Sequence, residues 1–439
     1  DTKGGIIIPK VEFKEFAEFP KKKGESKCVF FLGAGFSADA GIPTQKHLLP
    51  AYLKSGGEEL ILNFLSDIYS FDYPPNADRV IYPKLEEIFS TIDTAIMNNE
   101  YLKKYPPYKL EDFEKPPKTP EYNPQVYRGL NGKMGKSKYS LEEVRKKLVF
   151  DILKLIDTSK VKSDYIDNFA KVLTDYRLNS GNNDPFAIIT TNWDIVLLNA
   201  FRRYHNEIIK SLCYSSKIKN LNGIKDINDR EKIALLDYCL YTHPLYDKEN
   251  HIPSLKIKAM GYKNVKLLYL HGSPTWLYCR RCRRIYSDPS YSRQFDKKAL
   301  NYECKDCPQC YTTSHNTLSH VLTMPTYYKI IQNVHLLDVW QNAAMELQEA
   351  TGIFFIGYGL READYLIRNL LVSNLNKGAD IYISSIEEKF EDSEAVKNYR
   401  QIFGNRIKED NYKGGKARSV VGTICKEIEN KNFKCFSVL

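Results

Sequence analysis

Five short apolar runs punctuate this chain, and each gives way at once to small or polar residues. They are Cys28 to Leu32, FAIITT at 186 to 191, Val265 to Leu270, Ile353 to Ile356 and Asp380 to Ser384. Near-continuous apolar runs of this length fit strands buried on both faces, as in a parallel sheet covered by helices. Between the runs the period changes. Leu60, Leu62, Phe64, Leu65 and Ile68, then Leu85, Ile88, Phe89 and Ile92, recur at helical spacing. The same spacing returns from Ser140 to about Tyr176, where Ser140 and Glu143 stand in capping-box relation. Further helices are expected at about 195 to 212, at Val334 to Ala350 and at Asp364 to Leu375. Strand, turn and helix in alternation predict an α/β fold, a Rossmann-like doubly wound parallel sheet.

Two stretches interrupt this rhythm. At 101 to 140, Tyr, Pro and Lys dominate and glycines follow, which predicts a long surface loop able to dock on a partner. Residues 213 to 264 are mixed and polar, without a motif. The chain therefore divides into an N-terminal arm (1–26), which carries Phe13, Phe16 and Phe19, and a discontinuous core (27–65, 186–212, 265–278 and 320–439). A mainly helical insertion (66–185) holds the long loop, a second insertion covers 213–264, and a small module covers 279–319. A length of 439 residues accommodates such a core with insertions. No run approaches the roughly 18 to 20 apolar residues of a membrane span, and DTKGG at the start has no signal-peptide pattern, so a cytoplasmic protein is expected.

Net charge is +10. Lysines are scattered, as at Lys21 to Lys23 and Lys103 to Lys118, which describes a solvated surface and suits a polyanionic small ligand; direct nucleic-acid contact is not expected. The ten cysteines are not scattered, since five crowd into Cys279 to Cys310. Cys279-x2-Cys282 is followed by 21 residues (283 to 303) and then Cys304-x2-Cys307-x2-Cys310. That spacing suits a structural Zn2+ held by four thiolates in a reducing compartment, with free thiols or a disulfide as the competing reading. Five cysteines compete for four places. Cys279, Cys282, Cys307 and Cys310 are favoured, because Cys307-Pro308-Gln309-Cys310 resembles a zinc knuckle, and Cys304 is the alternative ligand.

Ligands of open α/β sheets bind at the carboxyl ends of the strands. Four strand ends here carry polar or glycine motifs: GAGFS, TTNWD, HGS and GYGL. Gly33, Gly35 and Ala38 fit G-x-G-x-x-G/A, in which the first glycine permits the turn, the second admits a pyrophosphate and the third position keeps helix close to strand. The amides at Ala34 and beyond would face the anion. His271, delivered by a buried strand, has the near-neutral pKa a general base needs, although a hydrogen-bonded core histidine is the other reading.

In this order the motifs resemble the sirtuin family. GAGFSADAGIP resembles its GAG-x-S-x-x-x-GIP signature, TTNWD its TQN-x-D, YLHGS its HG motif and GYGL its GTSL; the eight-residue step from His271 to Cys279 also agrees. The motifs anchor about half of the chain. The resemblance implies NAD+ as the ligand and His271 as the general base. It implies that Asn192 holds the nicotinamide ribose and positions water, and that Asp194 bonds the carboxamide; strand-end capping is the alternative for both. Ser37, with Thr191 beside the site, would bind phosphate or ribose, or Ser37 would serve only as a helix cap. Gly357 and Gly359 would meet the adenosine half, with Ser384 as a further adenosine contact.

Sirtuins break the bond between nicotinamide and ribose, and the attacking nucleophile decides the product. Deacylases follow GIP with Asp-Phe-Arg, whereas Thr44, Gln45 and Lys46 stand here. Their Phe-Gly-Glu peptide clamp is replaced by Leu322-Thr323-Met324-Pro325-Thr326. The insertions also enlarge the substrate side. These departures resemble the bacterial sirtuin-like proteins of antiphage defence, and they imply an NAD+ glycohydrolase that acts as a homo-oligomer or under a regulatory partner such as a HerA-type ATPase. A deacylase, an ADP-ribosyltransferase or a non-catalytic NAD+/ADP-ribose sensor are the alternatives.

Overall fold

A computed structural model describes residues 26–69, 71, 82–98, 140–156, 161–181, 183–216, 226–244, 257, 261–287, 307–310, 318–327, 331 and 333–431. The expected arm (to residue 25), the loop at 101–139, Cys304 and most of the 288–317 stretch lie outside the described residues. Among the described residues no helix is long and apolar enough to cross a membrane.

The main sheet has seven parallel strands. They are β1 (Cys28–Leu32), β2 (Phe186–Thr190), β3 (Ala234–Asp237), β5 (Lys263–Tyr269), β9 (Gly352–Ile356), β10 (Asp380–Ser385) and β11 (Tyr412–Gly414). Their order is β11-β10-β9-β1-β2-β5-β3. With β3 set aside as an added edge, the remaining six run in the 3-2-1-4-5-6 order of a doubly wound dinucleotide-type sheet. β1 lies between β2 and β9, and all five of its residues pair on both sides. That position explains its composition: every residue of β1, β2 and β9 is buried, so there is no solvent face for a polar residue to occupy. Successive side chains of β1 go to opposite layers. Phe30 meets Phe169 edge-on at 5.4 Å, and Phe31 meets Phe355 at 5.3 Å.

Helices cover both faces. The early ones are α1 (Ala34–Ala38), α2 (Gln45–Lys54), α3 (Glu59–Tyr69), α4 (Leu85–Met97) and α5 (Leu141–Leu155). α2, α3 and α4 pack around α5. α6 (Asp164–Asn179) follows in the chain but packs on α7 (Val196–Ser216) and on β5 of the main sheet. The single helical stretch expected from Ser140 to Tyr176 is thus two helices, one packed among α2 to α4 and one on the sheet. After α8 (Ile227–Arg230), the remaining helices are α9 (Val334–Glu349), α10 (Tyr365–Asn374), α11 (Glu394–Phe403) and α12 (Ala417–Glu429). Beneath the sheet, Lys27 bridges Glu346 of α9 at 2.5 Å and Asp184 at 3.2 Å, and Lys266 of β5 bridges the same two carboxylates.

A second sheet of four strands, β4 (His243–Pro244), β7 (Ile285–Ser287), β6 (Gly272–Tyr278) and β8 (Ser319–Leu322), adjoins the end of β5. β6 begins two residues after the β5 strand and pairs antiparallel with β7 and β8. Gly272 makes the corner: its φ is +78°, and a Cβ there would overlap the carbonyl oxygen of Val321.

Candidate functional site

The carboxyl ends of β1, β2, β5 and β9 open into one cleft of about 300 Å³, at the lower end of the range for small-molecule sites. It sits where the strand order reverses about β1, the place at which open α/β sheets bind ligands. Its lining includes Ala34, Gly35, Thr191, Asn192, Asp194, His271, Gly357 and Gly359. These come from four separate stretches of the sequence. Ser384 is not brought into the cleft: it is buried in β10, where its carbonyl accepts the Gly357 N–H at 3.3 Å.

The glycine turn is built differently from what its spacing predicts. Gly33 N–H donates to Ile356 O at 3.0 Å, Gly35 N–H to Gly357 O at 2.9 Å and Phe36 N–H to Gly33 O at 2.9 Å. A Cβ on Gly33 would stand 2.6 Å from Gly357 O, and one on Gly35 2.7 Å from Gly357 Cα. Gly357 itself has φ +64°, and its Cβ would overlap the Phe36 amide nitrogen. The room these glycines leave is therefore filled by the neighbouring strand-end turn. Two amides of the expected phosphate cradle, those of Gly35 and Phe36, are already committed within the protein, and α1 behind them is only five residues long.

Ser37 is fully buried in the last turn of α1, so it cannot be that helix's N-cap. Its Oγ accepts from Asn192 Nδ2 at 3.4 Å. Asp194 is buried beside it, and its Oδ1 accepts the Val196 N–H at 3.2 Å, which caps the start of α7. Burial pushes the Asp194 carboxyl above its ordinary range, against the opposing hydrogen bonds from Ser37, the Val196 amide and Asn192. With its amide nitrogen turned to Ser37, Asn192 has its Oδ1 buried with no protein partner. A buried carbonyl acceptor left in this way is costly unless something else fills its lone pairs.

His271 closes the arrangement. Its Nδ1 lies 3.2 Å from Thr191 O. A carbonyl can only accept, so Nδ1 carries the hydrogen, and in the neutral imidazole the lone pair is then on Nε2. The backbone around it is fixed from three sides: Leu270 N–H donates to Thr190 O at 3.0 Å, Thr323 N–H to His271 O at 2.8 Å, and Trp340 Nε1 to Leu270 O at 2.9 Å.

The opposite wall carries residues that no motif announced as ligands. Thr44, Gln45 and Lys46 line the cleft at the start of α2, Arg361 lines it after β9, and Thr323 and Pro325 line it after β8. Lys46 and Arg361 bring two cations, and Arg361 Nη1 lies 3.7 Å from Glu86 Oε1 in a partly exposed ion pair. Of the two acidic lining residues, Asp194 is held as described and Asp364 accepts the Tyr358 hydroxyl at 2.9 Å. Leu360, fully buried in the same wall, has φ +44°, a conformation an L-residue adopts only when its surroundings impose it. They do: Tyr399 Oη donates to Tyr358 O at 3.0 Å, Asn398 Nδ2 to Gly359 O at 2.8 Å and Arg368 Nη2 to Leu360 O at 2.7 Å. For the residues at 44–46 and 323–325 the sequence signal was negative, the departure of Thr44 to Lys46 and of Leu322 to Thr326 from the deacylase pattern, while Arg361 directly follows the GYGL motif that ends in Leu360.

Away from the cleft, Cys279, Cys282, Cys307 and Cys310 bring their sulfurs within 4.8 Å of one another. Cys282 Sγ and Cys307 Sγ are 3.7 Å apart, close to the roughly 3.8 Å edge of a tetrahedron with Zn–S of about 2.3 Å. The donor set thus fits a tetrahedral metal ion and could hold structural zinc.

No family model matches this chain, and no curated protein does. Solved structures of Sir2 proteins are similar at low level: a Sir2 homologue mutant with ADP ribose (14% identity, TM-score 0.40, 93% of this chain and 94% of that one). A Sir2–p53 peptide–NAD+ complex has 13% identity and TM-score 0.37 over 91% and 92% of the two chains. Sir2Tm bound to a propionylated peptide has 11% identity and TM-score 0.36 over 93% and 94%. Likeness at this level assigns no activity.

Proposed function

We propose that this chain is a sirtuin-like NAD+ glycohydrolase: NAD+ and water give nicotinamide, ADP-ribose and a proton. The observation that carries the reading is the Asn192 carbonyl, a buried acceptor without a protein partner in the same cleft as His271. Such an acceptor can take a hydrogen from a water or a ribose hydroxyl and so fix the direction of the oxygen's lone pair. The Nε2 lone pair of His271 can take the released proton. Nicotinamide leaves as a neutral molecule, so the sugar carbon develops positive character and needs a positioned nucleophile more than a strong one. Lys46 and Arg361 supply cations for the diphosphate, which the committed amides of the glycine turn do not. The absence of the deacylase residues at Thr44 to Lys46 and at Leu322 to Thr326 favours water over an acyl-lysine oxygen as the nucleophile.

The biological reading that goes with it is a cytoplasmic antiphage-defence effector that depletes NAD+ when activated, by self-assembly or by a partner such as a HerA-type ATPase. The four thiolates would hold zinc as a structural ion. The test is incubation with NAD+, with and without an acetylated peptide, measuring nicotinamide, ADP-ribose and O-acetyl-ADP-ribose. Peptide-independent release of ADP-ribose is expected. Turnover that requires the peptide and yields the acetylated product would replace this reading with a deacylase.

A further inference from the structure

Four arginines stand within six consecutive residues, Cys279-Arg280-Arg281-Cys282-Arg283-Arg284, and all four are exposed. The turn that carries them is clamped. Cys279 N–H donates to Arg284 O at 3.0 Å and Arg283 N–H to Cys279 O at 2.8 Å. Arg284 Nη1 reaches Gln309 Oε1 at 3.0 Å, linking the two cysteine pairs, and His335 Nε2 of α9 lies 2.8 Å from Arg283 O. The six residues include no carboxylate and no exposed apolar side chain, and among the described residues Arg280, Arg283 and Arg284 form no ion pair. β6 runs seven residues from the corner at His271 to this knuckle, a span of roughly 20 Å at about 3.3 Å per residue. The arginines are therefore remote from the cleft.

We infer that this arginine knuckle is a docking surface for the phosphate backbone of a nucleic-acid duplex, read without regard to base sequence. The lysines elsewhere are dispersed, but here the charge is concentrated, and it is all arginine. The guanidinium fork pairs with phosphate oxygens in two-point fashion, and it loses little freedom when carried by a fixed turn. Protein partners need a buried aromatic or aliphatic anchor at the centre of an interface, and the six residues of this turn present none. Sequence-independent phosphate contacts need only positive charge. A duplex offers about one negative charge per 1.7 Å of its axis, twice the density of one strand, and so matches cations crowded onto a single turn. The net charge of +10 adds long-range attraction.

The test is fluorescence anisotropy of the full zinc-loaded chain with a labelled duplex of about 20 base pairs, titrated between about 50 and 200 mM NaCl. Three phosphate contacts, from Arg280, Arg283 and Arg284, give a slope of log affinity against log salt of about −2.7. Arg280→Gln with Arg283→Gln is expected to reduce the slope by about 1.8 and weaken binding on the order of 50-fold near 0.1 M salt. Arg280→Lys with Arg283→Lys should keep most of the slope. The inference fails if the wild-type chain does not bind at the lowest salt, if its slope is shallower than about −1, or if the glutamine pair binds as wild type does. It also fails if a single strand of equal length binds more tightly, or if polyglutamate of equal charge displaces the duplex as well as unlabelled duplex does. Should the glutamine pair lower the melting temperature, the wild-type slope and the lysine pair decide the matter.

Discussion

Asn192 and His271 divide one task between them, since the amide aims an oxygen and the imidazole receives its proton. Neither residue does much for the fold at the atom it would use in chemistry. Asn192→Ala and His271→Ala are each expected to lower NAD+ turnover by about 100-fold or more while the melting temperature stays within a few degrees. Full activity in both variants would remove the site. A second histidine behaves in the opposite way. His205 is buried, its Nε2 lies 3.0 Å from Thr174 Oγ1, and burial pushes its pKa down to about 4. The unfolded chain holds this proton near pH 6.5, so the unfolded state binds more protons between pH 6.5 and 4. Stability is therefore whole above about pH 6.5 and falls as pH drops toward 4, by roughly 2 kcal/mol at pH 5. Urea midpoints at pH 7 and pH 5 measure this, and His205→Gln should flatten the dependence. At this scale the sequence singled out Asn192, Asp194 and His271 by their motifs TTNWD and HGS at strand ends and by the resemblance those motifs carry, and the structure places all three in the lining of one cleft. It gave no sign that Lys46 and Arg361 line the same cleft, because a surface cation looks the same whether or not a cleft lies beneath it.

Strand-end turns are the element on which the site depends, and two of them act as one. Gly33, Gly35 and Gly357 interlock backbone to backbone, so their small size serves contact between β1 and β9 before it serves any ligand. Gly357→Ala faces both a positive φ and an overlap with the Phe36 amide, so it should destabilise by more than about 1 kcal/mol where an alanine at a compatible glycine site would stabilise slightly. Calorimetry should show a lower melting temperature, and turnover should fall with it; an unchanged melting temperature would mean the turns are free to separate. The elements themselves were unequally visible in the sequence. β1, β2, β5, β9 and β10 are apolar because they are covered on both faces. β11, three residues long, sits at one edge and carries no such run, whereas β3 at the other edge belongs to a short apolar run, Ile233 to Leu236, set within the otherwise polar stretch 213 to 264. β6 begins Gly-Ser-Pro-Thr, which reads as a turn, yet it becomes a strand because β7 and β8 pair with it.

For the molecule as a whole, the alternation of strand and helix was enough to give the doubly wound class, but not the second sheet or the division of the Ser140 to Tyr176 stretch. Those depend on which surfaces meet in three dimensions, which periodicity does not encode. The placement of β1 has a bearing on how the chain is made. Cys28 pairs with Phe186, 158 positions later, and with Gly352, 324 positions later. Contacts of such separation form slowly, because chain closure is costly before it is rewarded. On a ribosome adding about 5 to 20 residues per second, the central strand must wait on the order of 20 to 60 s for its second neighbour, with five apolar residues and open backbone edges. Nascent chains halted before Ile356 should be cut by protease within this region, and chains released at full length should resist. The strand at the heart of the fold would then be the one most in need of a chaperone during synthesis.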